Sequence, residues 1–421
     1  MAAAVVAVTA VCKCTGFSSA TLSESGICAK YYGPKKGRNE TFATEAGGRM
    51  SSDGQHRQEL SSLPQVASLY ATYGVEINAL SVEQVFALYE RTGFLYPEKA
   101  ARLRPHLGLV LKNWRKMLRA GETLLYILTA GDETKGMASL AVWRTVPHGW
   151  VSQHLISDNN PFASRAVMLA AAAGKILRGT DDAQNWFRPE NRFPARVFGS
   201  MVSTIGESLC SVQRHSYFAL PRKLKFGCNG RIRVVHYDPS QKQALGMIAS
   251  ASRGGIYIAG EGLLEDVELH SVDDMYRSVG LRRTRSVWLA YQGTRAEPVG
   301  AAIAYRGPLG INFSYLENRC DLLLHPTLPA VEVPDVVASL LSALPPAYED
   351  FELDEIPLIA DEMAAEALLK FGAEFLRHYC QGIWLKAGHQ GFYQHVDGFY
   401  TRLLARATRQ NSKSRAAAGS R

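Results

Sequence analysis

The chain has 421 residues, of which 47% are hydrophobic and 20% are charged, and it carries a formal net charge of +8. This length suggests two or three domains, and the composition is that of a globular protein. It excludes a mainly disordered chain, a collagen and a coiled coil, and seven cysteines are too few for a disulfide scaffold. Because no Cys-x-x-Cys pair occurs, we expect no metal site and a reducing, cytoplasmic location.

The basic excess lies at the two ends of the chain. Residues 1–60 carry a net +2, residues 402–421 carry +6, and the stretch between them is neutral. Within that stretch, residues 61–225 carry +8 and residues 226–401 carry −8. Opposite charges predict contact between these two halves. We expect no nucleic-acid binding except through the basic tail.

Composition divides the chain into four parts. Residues 1–62 are rich in Gly, Ser, Thr and Ala without sustained periodicity, which predicts a disordered leader. Two folded units are expected at 63–225 and 226–401, followed by a basic flexible tail at 402–421. No stretch reaches the ~18–20 consecutive apolar residues that cross a bilayer, so we expect no membrane span.

The first unit shows alternating strand and helix patterns. A strand is predicted at Val75–Leu80, and Ser81 caps the helix that follows. A longer helix covers Glu98–Ala120, and Pro105 is expected to break it or to mark its true start. The remaining predicted elements are strands Leu124–Thr129, Met137–Thr145 and Trp150–Ile156, helix Pro161–Leu177, strand Asn185–Arg188, helix Pro194–Ile205 and strand Ser211–Leu220.

The second unit repeats this order of elements. Its predicted strands are Arg231–Tyr237, Ser286–Tyr291, Pro298–Tyr305, Ile311–Leu316, Asp321–Leu324, Glu352–Ile356 and Gln381–Ala387. Its predicted helices are Gln241–Ala251, Asp273–Val279, Pro334–Leu344 and Ala364–Phe371. No residue string recurs, so the repeat is one of architecture. The predicted fold class is α/β, with two tandem units that are each a mixed, mostly antiparallel sheet flanked by helices.

This order of elements resembles the GNAT fold of acyl-CoA N-acyltransferases, here in tandem. The clearest match is Trp150–Leu177, where a strand, a loop and a helix follow one another. In the family, N–H groups at this helix start hold the coenzyme A pyrophosphate, because a helix N-terminus offers unpaired donors. The resemblance implies acetyl-CoA or another acyl-CoA as cofactor, a small-molecule or peptide amine as acceptor, and at least one degenerate copy. The pantetheine arm would lie where Trp150–Ile156 and Asn185–Arg188 splay apart.

Both copies depart from the family at the pyrophosphate loop. The family loop reads Arg/Gln-x-x-Gly-x-Gly/Ala, whereas residues 157–163 and 325–331 contain no Gly. Pro161 removes one N–H donor, and Asp158 adds a negative charge. The alternative function is therefore a non-catalytic ligand-binding or regulatory module.

Three short phrases carry a second resemblance. They are Gly93–Pro97, Phe187–Arg192 and Leu316–Asp321. They resemble stretches of bacterial proteins that join GNAT-like modules to a PilZ domain, a cyclic di-GMP receptor. This resemblance implies a role for the alternative module in bacterial second-messenger signalling.

Arginines beside aromatic residues mark a candidate ligand site in the first unit. Arg188 and Arg192, with Asn191 between them, are flanked by aromatic side chains. Guanidinium groups bind phosphate or carboxylate in a bidentate manner, so the cluster suits an anionic ligand. The alternative is a turn ordered by an Arg–Glu pair. Gln153 and His154 are further candidates, on the strand that faces the ligand in the family.

The remaining candidates follow from the GNAT resemblance. Asn160 lies in the loop that would hold the pyrophosphate, and Arg319 lies beside Glu317 in the second unit. Glu317 is the candidate general base for an amine, a role that a strand carboxylate takes in many GNAT enzymes. Its alternative is a solvated hairpin corner. Tyr393 is the candidate acid that protonates a leaving thiolate, and its alternative is a half-buried aromatic residue.

Overall fold

The computed structural model describes residues 65–179, 181–224, 226–227 and 230–418. The predicted leader lies outside these residues. Pro64–Ala405 form one compact unit. The boundary at residue 225 stays a prediction. The last helix, His389–Ala418, runs through most of the stretch predicted as a tail.

Twelve strands of the described residues form one mixed sheet that is flanked by helices. The strands are β1 Val75–Ile77, β2 Leu125–Asp132, β3 Gly136–Val146, β4 Gly149–Ser157, β5 Asp182–Phe187, β6 Cys210–Pro221, β7 Ile232–His236, β8 Thr284–Gln292, β9 Gly300–Arg306, β10 Cys320–Leu324, β11 Glu355–Ala360 and β12 Glu374–Trp384. The predicted α/β class is confirmed.

Helices connect these strands within the described part of the chain. They are α1 at residues 65–72, α2 Val82–Arg91, α3 Pro97–Leu103, α4 Leu107–Arg119, α5 Pro161–Arg178, α6 Arg192–Val197, α7 Val202–Ile205, α8 Lys242–Arg253, α9 Gly255–Gly260, α10 His270–Arg277, α11 Val333–Ala343, α12 Glu362–Lys370 and α13 His389–Ala418.

Local sequence signals explain several helix boundaries. The Ser81 hydroxyl accepts a hydrogen bond from the Gln84 N–H, and the Gln84 side chain accepts one from the Ser81 N–H, which fixes the start of α2. Pro105 lies in a 3₁₀ turn, so the predicted long helix is two helices, α3 and α4. Gly179 adopts a left-handed conformation and ends α5.

The strand order of the sheet is β1-β2-β3-β4-β5-β12-β6-β11-β10-β9-β8-β7. Among the strand pairs of the described residues, two are parallel: β4 with β5, and β10 with β11. Each parallel pair consists of the fourth and fifth strands of one half. The order of elements is therefore duplicated in space as well as in sequence.

The last strand of each half lies next to the fifth strand of the other half. β12 pairs with β5, and β6 pairs with β11. The two exchanged strands pair with each other from Glu374–Ala219 to Trp384–Cys210. Because of this exchange, the sheet runs without a break through both halves of the chain. Each side of the sheet contains one strand contributed by the other half of the chain.

Contact between the two halves includes ion pairs of the expected sign. Three arginines of the first half face carboxylates of the second half. The pairs are Arg102–Glu355 at 3.8 Å, Arg165–Asp397 at 2.7 Å and Arg222–Asp354 at 3.9 Å. Solvated pairs of this kind contribute little each, so buried contacts matter more. The Tyr276 hydroxyl, for example, donates to the Arg144 carbonyl at 2.6 Å.

Side chains alternate between two hydrophobic clusters along the strands of the first half. On β2, Leu125 and Ile127 belong to one cluster, whereas Tyr126 and Leu128 belong to the other. The first cluster includes residues of α2 and α4, and the second includes residues of α5 and α13. The two faces of the sheet are therefore covered by different helices.

One predicted strand is absent from the structure. Ile311–Leu316 lies in the connection between β9 and β10, which ends in a 3₁₀ turn at Leu316–Asn318. Gly310 and Tyr315 both have positive φ angles, of 77° and 57°, which no regular strand allows. The apolar residues that suggested a strand are buried as loop anchors instead.

Candidate functional site

The parallel strands β4 and β5 diverge where the cleft was expected. Their register pairs Gly149 with Asp182 and ends with Val151 opposite Gln184. β4 then continues to Ser157 and β5 to Phe187 with no further pair among the described residues of the two strands. In the second half, β10 and β11 are paired over only two positions.

A β-bulge interrupts β4 inside this cleft. Gln153 pairs with Ala141 of β3, and the next pair joins Ile156 to Ser139, so β4 holds one extra residue. His154 lies at the bulge with a φ angle of 57°, in the left-handed region. The bulge directs the imidazole of His154 into the cluster that contains α2 and α4, where it contacts Tyr89 and Trp114.

Amide side chains bridge the two diverging strands. Gln153 donates to the Trp186 carbonyl at 2.7 Å, and Asn185 donates to the Ser152 carbonyl at 2.5 Å. The Gln153 side-chain oxygen accepts a hydrogen bond from Asn312 of the second half. These bonds link β4 and β5 beyond their last backbone pair and close the base of the cleft.

Aromatic rings enclose His154. Phe313 stacks on the imidazole at 4.4 Å between ring centroids, and Trp114 stacks at 5.8 Å. His154 Nδ1 is buried without a hydrogen-bond partner among the described residues. Burial lowers the pKa of His154 well below its ordinary value, and the positive charge of Lys99 adds to this effect. The imidazole is therefore neutral at physiological pH.

Three cationic side chains meet at the mouth of the cleft. Arg188 follows β5, Arg377 lies on β12 and Lys99 lies on α3; we call these three residues the cationic cluster. The Tyr96 hydroxyl accepts hydrogen bonds from Arg377 Nη1 at 2.9 Å and from Arg188 Nη1 at 3.4 Å. Nε of each arginine makes no hydrogen bond within the described part of the chain.

Lys99 lies between aromatic rings at the edge of this site. Its Nζ is 3.9 Å from the centroid of the Phe94 ring and 4.9 Å from that of Tyr96. Burial, followed by the charges of Arg188 and Arg377, lowers the pKa of Lys99 to about 7. The site therefore holds two fixed positive charges and a third that titrates near neutral pH.

The start of α5 does not fit the pyrophosphate of coenzyme A. The Asn160 side chain accepts from the Ala163 N–H at 3.0 Å and so occupies one of the donors that a phosphate would need. Pro161 offers no N–H. The Asp158 carboxylate, which lies in the same loop as Asn160, forms an ion pair with Arg91 of α2 at 3.2 Å. Asn160, a predicted ligand residue, is thus the cap of its own helix.

The corresponding helix start in the second half does not fit a pyrophosphate either. Glu332 precedes α11, and its Oε2 is buried without a hydrogen-bond partner among the described residues. Pro334 and Asp335 lie in the first turn. Two carboxylates at this position repel a phosphate.

Glu317 and Arg319 both lie in the protein interior. The Glu317 carboxylate forms an ion pair with Arg283 at 3.0 Å and accepts a hydrogen bond from Trp143 Nε1 at 3.0 Å. Arg319 is paired with Glu261 and Asp321, each at 2.8 Å. These charges are compensated by protein groups, and they do not reach the cationic cluster.

The other predicted site residues are dispersed. Asn191 and Arg192 are exposed at the start of α6. The Tyr393 hydroxyl is 3.2 Å from that of Tyr73, and its ring packs in the cluster of α5 and α13. Of the predicted residues, Arg188 belongs to the cationic cluster, His154 is buried among aromatic rings that include Phe94, and Gln153 bridges β4 and β5.

Lys99, Tyr96 and Arg377 were missed as site residues. Tyr96 lies in Gly93–Pro97, one of the three segments that carry the second resemblance, so a signal existed for that segment. Arg377 precedes the predicted start of its strand at Gln381. Its place beside β5 depends on the strand exchange, which no local pattern encodes.

A wide groove of about 990 Å³ lies along α8 in the second half. Its ionisable lining residues are Lys242 and His325, and it shares no residue with the cationic cluster. Among the residues that the structure describes, no three His, Cys, Asp or Glu side chains converge as a metal site. No helix in the described ranges has the length and apolar character to cross a membrane.

Comparisons with known proteins give structural similarity alone. No protein-family model and no curated protein sequence matches the chain. A Drosophila protein is 12% identical over 75% of this chain and 99% of its own, with a TM-score of 0.38. A tandem GNAT protein from the clavulanic acid biosynthesis pathway is 12% identical over 74% and 98%, with a TM-score of 0.36.

A GCN5-related N-acetyltransferase from Sphaerobacter thermophilus is 10% identical over 65% of this chain and 85% of its own, with a TM-score of 0.33. None of these three proteins is described as a PilZ protein. All three TM-scores lie below 0.5.

Proposed function

We propose that the chain is a tandem GNAT-like protein that binds a small organic anion at the mouth of its first-half cleft. The observation that carries the proposal is the convergence of Arg188 and Arg377 on the Tyr96 hydroxyl, with Lys99 beside them. Arg188 also faces Glu190 at 3.9 Å, but this exposed carboxylate offsets only one of the three charges. A cluster with an excess of positive charge is the expected environment of an anionic ligand.

The surrounding groups favour a small ligand with a carboxylate or phosphate group. The two guanidinium groups that meet at Tyr96 are of the kind that binds a carboxylate or phosphate in a bidentate manner. The Phe94 and Tyr96 rings form apolar walls beside the charges. His154 is neutral and adds no charge. The site therefore combines an anion-binding end with an aromatic surface for an organic group.

Calorimetry with lactate and with inorganic phosphate tests this proposal. We expect lactate to bind the full chain, and the Arg377→Gln variant to weaken its binding by roughly tenfold, since the charged hydrogen bonds of one arginine are lost. Arg196→Gln is the matched control, because Arg196 is an exposed arginine of α6. Phosphate binding without lactate binding would identify the ligand as a phosphate.

Acyl transfer to an amine is the second candidate function, and the divergence of β4 from β5 favours it. Since neither helix start fits a pyrophosphate, we expect acetyl-CoA at millimolar concentration to give no heat of binding. Circular dichroism on the same sample establishes that the chain is folded. Measurable binding would support an N-acyltransferase whose acceptor amine carries an anionic group at the cationic cluster.

A further inference from the structure

Lys99 differs from the exposed lysines of the fold in its partners. Lys370 forms an ion pair with Glu366 at 2.7 Å on the surface of α12. Lys99 is half-buried, packs over Phe94 and Tyr96, and has no carboxylate within ion-pair distance among the described residues. Its nearest charges are the guanidinium groups of the cationic cluster.

Its surroundings favour a neutral amine. Burial and the two arginines bring the pKa of Lys99 to about 7, so a large fraction of the side chain is deprotonated at neutral pH. The adjacent His154 is itself neutral. An amine in this state is a nucleophile, and desolvation beside another cationic group is a known way to activate a lysine.

The cluster also determines which electrophile would reach this amine. Tyr96 contacts all three members of the cationic cluster. Its ring centroid lies 4.9 Å from Lys99 Nζ, and its hydroxyl accepts hydrogen bonds from both guanidinium groups. A carboxylate held by the arginines is therefore close to Lys99. In a 2-oxo acid, the carbonyl carbon is bonded directly to the carboxylate carbon, so it is placed next to the amine.

We propose that Lys99 forms an imine with a small 2-oxo acid whose carboxylate is bound by Arg188 and Arg377. The Lys99 nitrogen attacks the carbonyl carbon, and the carbonyl oxygen leaves as water with both protons of the neutral amine. A carbon–nitrogen double bond replaces the carbon–oxygen double bond, and no oxidant or reductant is consumed. This inference rests on the proposed anion site.

Borohydride trapping tests the imine. The full chain is incubated with pyruvate, reduced with sodium borohydride, and measured as intact protein and as peptides by mass spectrometry. We expect a mass increase equal to pyruvic acid less one oxygen atom, located at Lys99. Lys99→Met is expected to abolish this adduct, and Lys370→Met, the control, to retain it.

The pH dependence separates imine formation from anion binding. A protonated Lys99 attracts an anion but cannot attack a carbonyl. The charged and titratable groups around it are the guanidinium groups of Arg188 and Arg377, the Glu190 carboxylate beside Arg188, and His154, whose pKa burial holds well below its ordinary value. We expect the adduct yield to rise from about pH 6 to about pH 8 while lactate affinity falls over the same range.

The outcomes distinguish this inference from the proposed function. Lactate and pyruvate binding that depends on Arg377, without an adduct at Lys99, would overturn the imine and leave the anion site. Failure of both anions to bind would overturn both. Equal labelling of Lys99 and Lys370 would also contradict the inference, since it would indicate unselective reaction of surface amines.

Discussion

Tyr96 and Arg377 are 281 residues apart in sequence, yet the Tyr96 hydroxyl accepts a hydrogen bond from Arg377 Nη1 at 2.9 Å. Tyr96 immediately precedes α3 of the first half, and Arg377 lies on β12 of the second. β12 reaches β5 only because the last strands of the two halves are exchanged. The candidate site is therefore complete only when both halves are folded together.

Replacement of Tyr96 by Phe should weaken anion binding. The change removes the oxygen that orients two guanidinium groups, while the ring and its contact with Lys99 remain. Because the site is partly solvated, we expect lactate to bind about 5-fold more weakly, which is less than a fully buried charged hydrogen bond would give. Tyr393→Phe is the control, since its hydroxyl contacts Tyr73 in a different cluster. Equal effects of the two changes would contradict this prediction.

Lys99 should make stability depend on pH in a defined direction. Its pKa is about 7 in the folded chain, against an ordinary value of 10.5. Between these values, the unfolded chain holds a proton that the folded chain has lost, so the free energy of unfolding rises with pH. Below that range, both states are protonated and the penalty for burying the charge is fully present.

Denaturant unfolding of the natural chain and Lys99→Met measures this effect. We expect the difference in unfolding free energy, natural chain minus variant, to increase from about pH 6 to about pH 9. The other titrating groups cancel in the difference. A difference that is flat or decreases with pH would show that Lys99 keeps its ordinary pKa.

Local patterns predicted most elements because each element carries its own boundary signal. Pro161 and Gly179 delimit α5, and the predicted helix ended within one residue of the observed one. β2 and β3 are buried over most of their length on both faces, so runs of mostly apolar residues mark them in the sequence. The strand predicted at Ile311–Leu316 was wrong because the apolar residues of this connection are buried individually in a loop. Their sequence pattern is the same as that of a buried strand.

The candidate site was predicted only where its residues lie on one local segment. Arg188 follows β5 and was found from the aromatic residues around it. Arg377 and Lys99 reach the site through strand exchange and helix packing, which depend on contacts distant in sequence. Glu317 was predicted as a site residue although it is buried. Its polar sequence neighbours gave no sign that the Arg283 guanidinium would neutralise its charge inside the protein.

Glu317→Gln should destabilise the protein more than it affects ligand binding. The change leaves the buried Arg283 guanidinium without its carboxylate at 3.0 Å. We expect a loss of about 3–5 kcal/mol in unfolding free energy, measured by denaturant titration. Lactate affinity should be unchanged under conditions where the variant is folded. A loss of activity or binding without a loss of stability would instead support the predicted role of Glu317 as a base.

Gly310 should be required for the second-half loop to pack on α4. Asn113 donates to the Leu309 carbonyl, and Trp114 donates to the Gly310 carbonyl at 2.9 Å. A Cβ at Gly310 would lie 2.3 Å from Val110 Cγ2, and the φ angle of 77° also disfavours alanine. Gly293→Ala is a matched control, because Gly293 has a φ angle of 56° but open space around it.

Both glycine variants should lose the roughly 1 kcal/mol that a left-handed alanine costs. Gly310→Ala should lose about 1–3 kcal/mol more, since the loop must move away from Val110. Denaturant unfolding measures both values, and tryptophan fluorescence reports the environment of Trp114. Equal losses in the two variants would mean that the loop accommodates the methyl group without moving.

The two halves should unfold in one cooperative transition. β6 lies between β12 and β11, so melting either half removes a hydrogen-bonded neighbour from the other. Independent domains would give two transitions or a calorimetric enthalpy well above the van't Hoff value. We expect the two enthalpies to agree in scanning calorimetry, and circular dichroism and tryptophan fluorescence to give the same midpoint. Two separated transitions would show that each half keeps a stable core of its own despite the strand exchange.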